Sequence, residues 1–210
     1  MSLFDPAAAT AAYLASVSPA IHARATAYTQ SGHWALLGGW VVSIIAAVLI
    51  LKSGVLNRVS ARVQAGKPRP NLAAFACALT FILSDWVLEL PDAWFFDWKR
   101  NTDFGLTHQP AVQWLVESAI GAGITALFGG LFMVALYALI RRAPKRWWIF
   151  GSGLAAIFVV LSMLIGPIFI EPIFNTYTPA PNGPVRDAVV ALAKATGTPS
   201  DKNPTRNPTP

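Results

Sequence analysis

Twenty-four consecutive residues, Trp147–Ile170, carry no charged side chain. At about 1.5 Å per residue a helix of that length reaches roughly 36 Å, enough to cross the hydrocarbon core of a bilayer with some tilt. Three further runs are also long and apolar: Trp34–Leu51, with Ser43 as its clearly polar member, Leu72–Leu90, which carries Asp85 and Glu89 in its last part, and Ser118–Ile140. Only 12% of the chain is charged and 54% is hydrophobic, against about 25% charged in a soluble domain. These apolar residues lie in runs longer than a strand or a core helix needs, which excludes a soluble bundle. The pattern predicts an all-α, multi-pass membrane helix bundle. It has about four transmembrane helices, at 34–51, 72–90, 118–140 and 147–170, and the lipid bilayer is its surroundings.

The segments between the spans have distinct compositions. Residues 1–33 are Ala-rich and mildly amphipathic, with Tyr13, Leu14, Val17 and Ile21 at helical spacing and Pro19 interrupting them. They read as a surface helix too polar and broken to span. Loop one carries Lys52, Arg58, Arg62, Lys67 and Arg69 without an acid, and loop three, Arg141–Arg146, is short and basic. Loop two, 91–110, holds Trp94, Phe95, Phe96 and Trp98, the aromatic belt of a headgroup boundary. Gly38 and Gly39 in the first span, and Gly121, Thr125 and Gly129 in the third, offer smooth faces for helix packing. Residues 171–202 form a linker and a short amphipathic helix: Pro184 suits its first position, Gly197 its end, and Val185, Val189 and Leu192 its apolar stripe. The proline-rich polar residues 203–210 read as disordered.

Loops one and three hold nine of the sixteen Lys and Arg. The positive-inside rule places both in the cytoplasm, which leaves both termini of a four-span chain outside. The net charge of +6 is thus a topology signal. No aromatic–basic interleaving or zinc-finger spacing points to nucleic acid.

Few residues carry candidate chemistry. Asp85 and Glu89, spaced i and i+4, share one face of the second span. They read either as a polar cavity wall serving a proton or ion, or as the wet end of a span paired with a basic neighbour. Cys77 lies in an apolar run and reads as a small hydrophobe. The histidines are His22, His33 and His108, and none is followed by Glu. The H-E-x-x-H pattern, which sets two imidazoles and a carboxylate on one helix for zinc hydrolysis, does not occur in the 210 residues. Neither does a G-x-S-x-G elbow, a P-loop or a dinucleotide fingerprint. The residues therefore assign no catalytic residue and no metal ligand.

Two stretches together resemble a known family. One is DWKRNTDFGLTHQ, Asp97–Gln109; the other is GPIFIEPIFNTYTPAPNGPVRDAVVALAKATGTPSDK, Gly166–Lys202. Both are similar to the N-terminal membrane domain of the CAAX prenyl protease 1 family, integral-membrane zinc metalloendopeptidases. Phe104, Gly105, Leu106, Thr107 and Gln109 match that family's inter-helix loop, with Asp103 a departure from its approach. Pro172, Ile173, Phe174, Asn175, Tyr177, Thr178 and Pro179 match the turn that follows a membrane helix.

The resemblance implies a helical cage around a zinc site that cleaves prenylated CAAX peptides or membrane proteins. It gives the motif residues a structural role. The zinc ligands of the complete enzyme come later in the family, so no cofactor is expected in these residues, and no activity from them alone. The chain reads as a truncated, frame-shifted or split-gene product in a bacterial inner membrane. Its candidate partner is a separately encoded protease core or a full-length homologue. The resemblance also places the tail in the cytoplasm, against the Lys and Arg count, and is followed on that point. Two alternatives stay open: a non-enzymatic assembly partner or regulator of a full-length protease, and a small transporter using Asp85 and Glu89.

Overall fold

The computed structural model describes residues 5–170, 172 and 183–196. Among them there are helices and no strands: α1 (Pro6–Ser16), α2 (Pro19–Lys52), α3 (Val55–Gln64), α4 (Pro70–Ala93), a π-helical turn (Trp94–Lys99), α5 (Arg100–Asp103), α6 (Ala111–Arg142), α7 (Trp147–Ile165), a second π-helical turn (Gly166–Ile170) and α8 (Pro184–Ala195). Four helical stretches are long and apolar enough to cross a membrane: Pro19–Lys52, Pro70–Asp103, Ala111–Arg142 and Trp147–Ile168. The chain divides into two units, Met1–Val160 and Leu161–Pro210.

The first two spans are longer than hydropathy alone predicts. Pro19 does not break a helix but starts one: it occupies the first turn of α2, where its missing N–H has no helical partner to lose. Ser18 caps that turn by accepting from the Ile21 amide at 3.4 Å. The surface segment expected over residues 1–33 is therefore α1 plus the first four turns of a membrane helix. Pro91, expected to open a loop, is likewise inside a helix. Proline deprives the preceding turn of a hydrogen bond, and the backbone relaxes into the wider π turn a few residues on. The aromatic belt of Trp94, Phe95, Phe96 and Trp98 lies on that turn, with the Trp94 and Trp98 rings stacked at 4.3 Å.

Helix α4 is the centre of the first unit. It runs antiparallel to α6, with Trp86 Nε1 donating to Ser118 Oγ at 2.9 Å near one end and Arg141 donating to Asn71 at the other. Apart from Ile50 on α2, the buried residues among those described are small: Ala46 on α2, Ala73 on α4, Ala122, Ala126 and Gly130 on α6, and Gly151 on α7. Small side chains let helix backbones approach where no hydrophobic effect drives them together. On α6 the packed stripe is Ala122–Ala126–Gly130, one residue round from the expected Gly121–Thr125–Gly129. A Cβ on Gly130 would meet the Phe75 ring at 2.7 Å, whereas one on Gly121 would meet nothing within 4 Å. Gly129 borders both faces, its Cβ position lying 2.8 Å from Ile82. The two stripes have the same spacing, so composition alone does not separate them. Helix α7 meets α6 through Phe132 and Phe158, with centroids 5.0 Å apart.

Large apolar side chains cover the outside, including Ile44, Trp34 and Val112 at 63%, 72% and 74% exposure. Such a surface would aggregate in water and matches acyl chains in a bilayer.

Candidate functional site

The loop motif lies at one end of this bundle, where the N-terminal half of α2 meets the far end of the Pro70–Asp103 rod. The two run antiparallel, Gly39 opposite Asp92, Gly38 opposite Phe96 and Gly32 opposite Arg100. Arg100 is the centre of the contact. Its Nε donates to Ser31 Oγ at 2.8 Å and an Nη donates to the Tyr28 carbonyl at 2.6 Å. The guanidinium carbon sits 3.8 Å from the centroid of the Tyr28 ring, a cation–π geometry. Gly32 gives it room, since a Cβ there would lie 2.9 Å from the guanidinium.

A chain of hydrogen bonds continues from Tyr28. Its hydroxyl donates to Asn101 Oδ1 at 2.9 Å, Asn101 Nδ2 donates to Asp97 Oδ1 at 3.2 Å, and Trp114 Nε1 donates to Asp97 Oδ2 at 3.1 Å. This clasp therefore ties α2, the π turn, α5 and the start of α6. Its members are half-buried or exposed, and neutral donors satisfy both oxygens of Asp97.

The motif residues pack onto the clasp. Phe104 meets the Tyr28 ring edge-on at 5.1 Å. Gly105 has φ +67, a left-handed conformation that favours glycine, and it directs the chain back so that the Leu106 amide donates to the Asn101 carbonyl at 2.8 Å. Trp98 Nε1 donates to the Gln109 carbonyl at 3.0 Å, and the Gln109 amide donates to Thr107 Oγ1 at 3.1 Å. Phe104, Gly105 and Gln109 thus come together in one structure. Its further partners Tyr28, Ser31, Arg100 and Asn101 were not singled out from the sequence. The visible signal was a set of polar or small residues, Tyr28, Ser31 and Gly32, at helical spacing on a stretch read as off-membrane.

The contacts of the clasp hold the loop in place, and among the described residues it sets no nucleophile beside a base. Of the second motif, Pro172 is described and exposed, whereas Phe174, Asn175, Tyr177, Thr178 and Pro179 lie outside the described residues, as does the tail 203–210. Asp85 and Glu89 stay on one helix face, and Ser43 Oγ of α2 donates to Glu89. Neither carboxylate lines the groove between α3, α4 and α6 or the one walled by Leu49, Leu83 and Val87 between α2 and α4.

Zinc does not fit the described residues. No three His, Cys, Asp or Glu side chains gather among them. His22 Nε2 is 3.0 Å from the Leu14 carbonyl, and His33 and His108 are exposed.

The sequence profile described as CAAX prenyl protease N-terminal, five membrane helices, matches residues 7–176. The matched stretch contains the whole clasp and ends inside the second motif. The chain is 24% identical over 153 residues to an uncharacterized metalloprotease, YhfN, of Bacillus subtilis, covering 73% of this chain and 36% of that protein. It is 27% identical over 118 residues to the CAAX prenyl protease 1 homolog of Dictyostelium discoideum, covering 56% and 27%. It is 26% identical over 133 residues to CAAX prenyl protease 1 of Saccharomyces cerevisiae, covering 63% and 29%. The chain therefore spans about a third of the length of these relatives or less. No solved structure matches it.

Proposed function

The chain belongs to the CAAX prenyl protease N-terminal family, and from that premise we propose that its helices form part of the membrane cage around the proteolytic site of a zinc metalloendopeptidase. The observation that carries this reading is the clasp. The residues matching the family's loop are the ones that fix the Phe104–Gln109 turn against α2 and the π turn, as a frame needs and a catalytic group does not. In this reading the 210 residues supply walls and alignment. The zinc and its ligands belong to other residues, whether further along the same polypeptide or on a separate protease core, and the host is a bacterial plasma membrane.

The names of the relatives support a metalloprotease, and the Saccharomyces and Dictyostelium names support prenylated CAAX peptides as the substrate class. The test is to purify the 210-residue chain in detergent, measure its metal content, and assay cleavage of a farnesylated CAAX peptide. The same assay follows co-expression with the remaining part of a homologous protease. Expected are sub-stoichiometric zinc and no cleavage alone, with cleavage restored by the complement. One tightly bound zinc per chain, or cleavage by the chain alone, overturns the assignment of roles.

A further inference from the structure

The end of the bundle opposite the clasp carries a groove that the family reading does not use. It lies between α3, α4 and α6, encloses about 700 Å³, and is walled by Leu56, Cys77, Phe81 and Phe132. Its mouth is polar, with Ser60 and Gln64 of α3 on one side and Arg141 of α6 on the other. The groove follows α4 from Pro70 to Ile82, about 18 Å of helix at 1.5 Å per residue. That is roughly the depth of one leaflet, half of a hydrocarbon core about 30 Å thick.

Charge is the second observation. The segments that surround this mouth, 52–69 and 141–146, hold nine Lys and Arg and no Asp or Glu. The ion pair found among the described residues, Lys99–Asp103, is at the clasp end. Helix α3 is also amphipathic and lies between two spans: Leu56, Ser60 and Gln64 face the groove, and Arg58 and Arg62 are exposed on its other sides. A slot one leaflet deep, apolar along its length and cationic at its mouth, is complementary to an anionic amphiphile. Basic pockets between membrane helices hold acidic headgroups by this combination of field and apolar contact.

We infer that this groove binds an anionic phospholipid, with an acyl chain along α4 and the phosphate at the mouth formed by Arg141 and Gln64. The neighbouring cations supply the long-range field, and Arg141 and Gln64 supply the direct donors. A zwitterionic lipid has the same chains and gains little from that field.

Cys77 makes the test direct, because it is the one cysteine of the chain and its thiol lines the groove, with Sγ 3.5 Å from the Leu56 carbonyl. The purified chain in a mild detergent is treated with N-ethylmaleimide, with added phosphatidylglycerol, phosphatidylcholine or glycerol 3-phosphate. At a phosphatidylglycerol level that fills nine-tenths of the sites, alkylation slows about tenfold, while equal phosphatidylcholine and free glycerol 3-phosphate leave it unchanged. Raising the salt to about 1 M removes most of the protection, since the Debye length falls to about 3 Å. Arg141→Gln and, separately, Gln64→Glu reduce the protection to within about twofold of the lipid-free rate. The hydrogen bonds of Gln64 among the described residues go to Ser60 of its own helix, so its variant is the safeguard if Arg141→Gln misfolds. Equal protection by phosphatidylcholine overturns the proposal, as does none by phosphatidylglycerol. Protection by glycerol 3-phosphate alone, or protection without lipid that grows with protein concentration, assigns the groove to a free phosphate or to a second copy and overturns it too.

Discussion

Replacing Gly32 by alanine is expected to destabilise the chain, and the same replacement is expected to stabilise it once Arg100 is gone. A Cβ at position 32 lies 2.9 Å from the Arg100 guanidinium, too close without movement. The group is not free to swing aside, because it is held by Ser31 at 2.8 Å, by the Tyr28 carbonyl at 2.6 Å and over the Tyr28 ring at 3.8 Å. Displacement loses the bond to Tyr28, about 1–1.5 kcal/mol for a half-buried charged donor, and weakens the ring contact by about 0.5 kcal/mol. Alanine regains about 0.5–1 kcal/mol over glycine inside a helix. The net in the unmodified chain is a loss of about 1 kcal/mol, whereas in Arg100→Ala only the helix gain remains. The two backgrounds then differ by about 1.5–2 kcal/mol, well above the few tenths by which independent sites depart from additivity. The assay is SDS titration in mixed micelles followed by circular dichroism, on the four chains of the cycle. An effect of Gly32→Ala that is equal in both backgrounds refutes the clasp as the source of tertiary stability. Arg100→Lys is a further control and should behave nearly as Arg100→Ala, because an ammonium does not reproduce the fork and the stack together.

Gly130→Ala should destabilise by about 1–3 kcal/mol, since its Cβ meets the rigid Phe75 ring at 2.7 Å. Gly121→Ala, with nothing within 4 Å, should be neutral or stabilising by up to about 1 kcal/mol in the same titration. Trp114→Phe keeps the ring contact with Trp94, centroids 6.0 Å apart, and loses the donor to Asp97; a loss of about 1 kcal/mol is expected, and Asp97→Ala should cost about 1 kcal/mol less on that background than in the unmodified chain, where it loses the Trp114 bond as well as the Asn101 bond.

The spans were legible because length and hydropathy are local properties, and four long apolar runs leave little choice of fold. Where helices begin and end was less legible. Pro19 and Pro91 look alike to a pattern reader, yet one starts a helix and the other is absorbed by a π turn. Hydropathy also separates residues 19–33 from the span they belong to, because their polar side chains face Arg100 and Asn101 rather than solvent alone. The clasp was half legible: the Phe104–Gln109 loop stands out as a motif, but Tyr28 and Ser31 lie about seventy residues away in sequence. Pairing at that range has no periodic trace. The choice between the two small-residue stripes of α6 depended on Phe75 and Leu79 across the interface, which no single helix reveals.

Helix α2 and the Pro70–Asp103 rod are each 34 residues long, about 51 Å against a hydrocarbon core of about 30 Å. The uncharged stretch of α2 from Trp34 reaches the basic end, so the surplus stands at the end that carries the clasp. The paired rods therefore act as a ruler, fixing how high above the lipid the Phe104–Gln109 turn is held. Arg100 and Tyr28 lock the two rods together along this overhang, so neither can shorten or slide without the other. Removing four residues from one of them would lower its end by about 5–6 Å, one helical turn. A chain cut in that way would still be long enough to span, but Arg100 would lose register with Tyr28 and the loop would stand at the wrong depth.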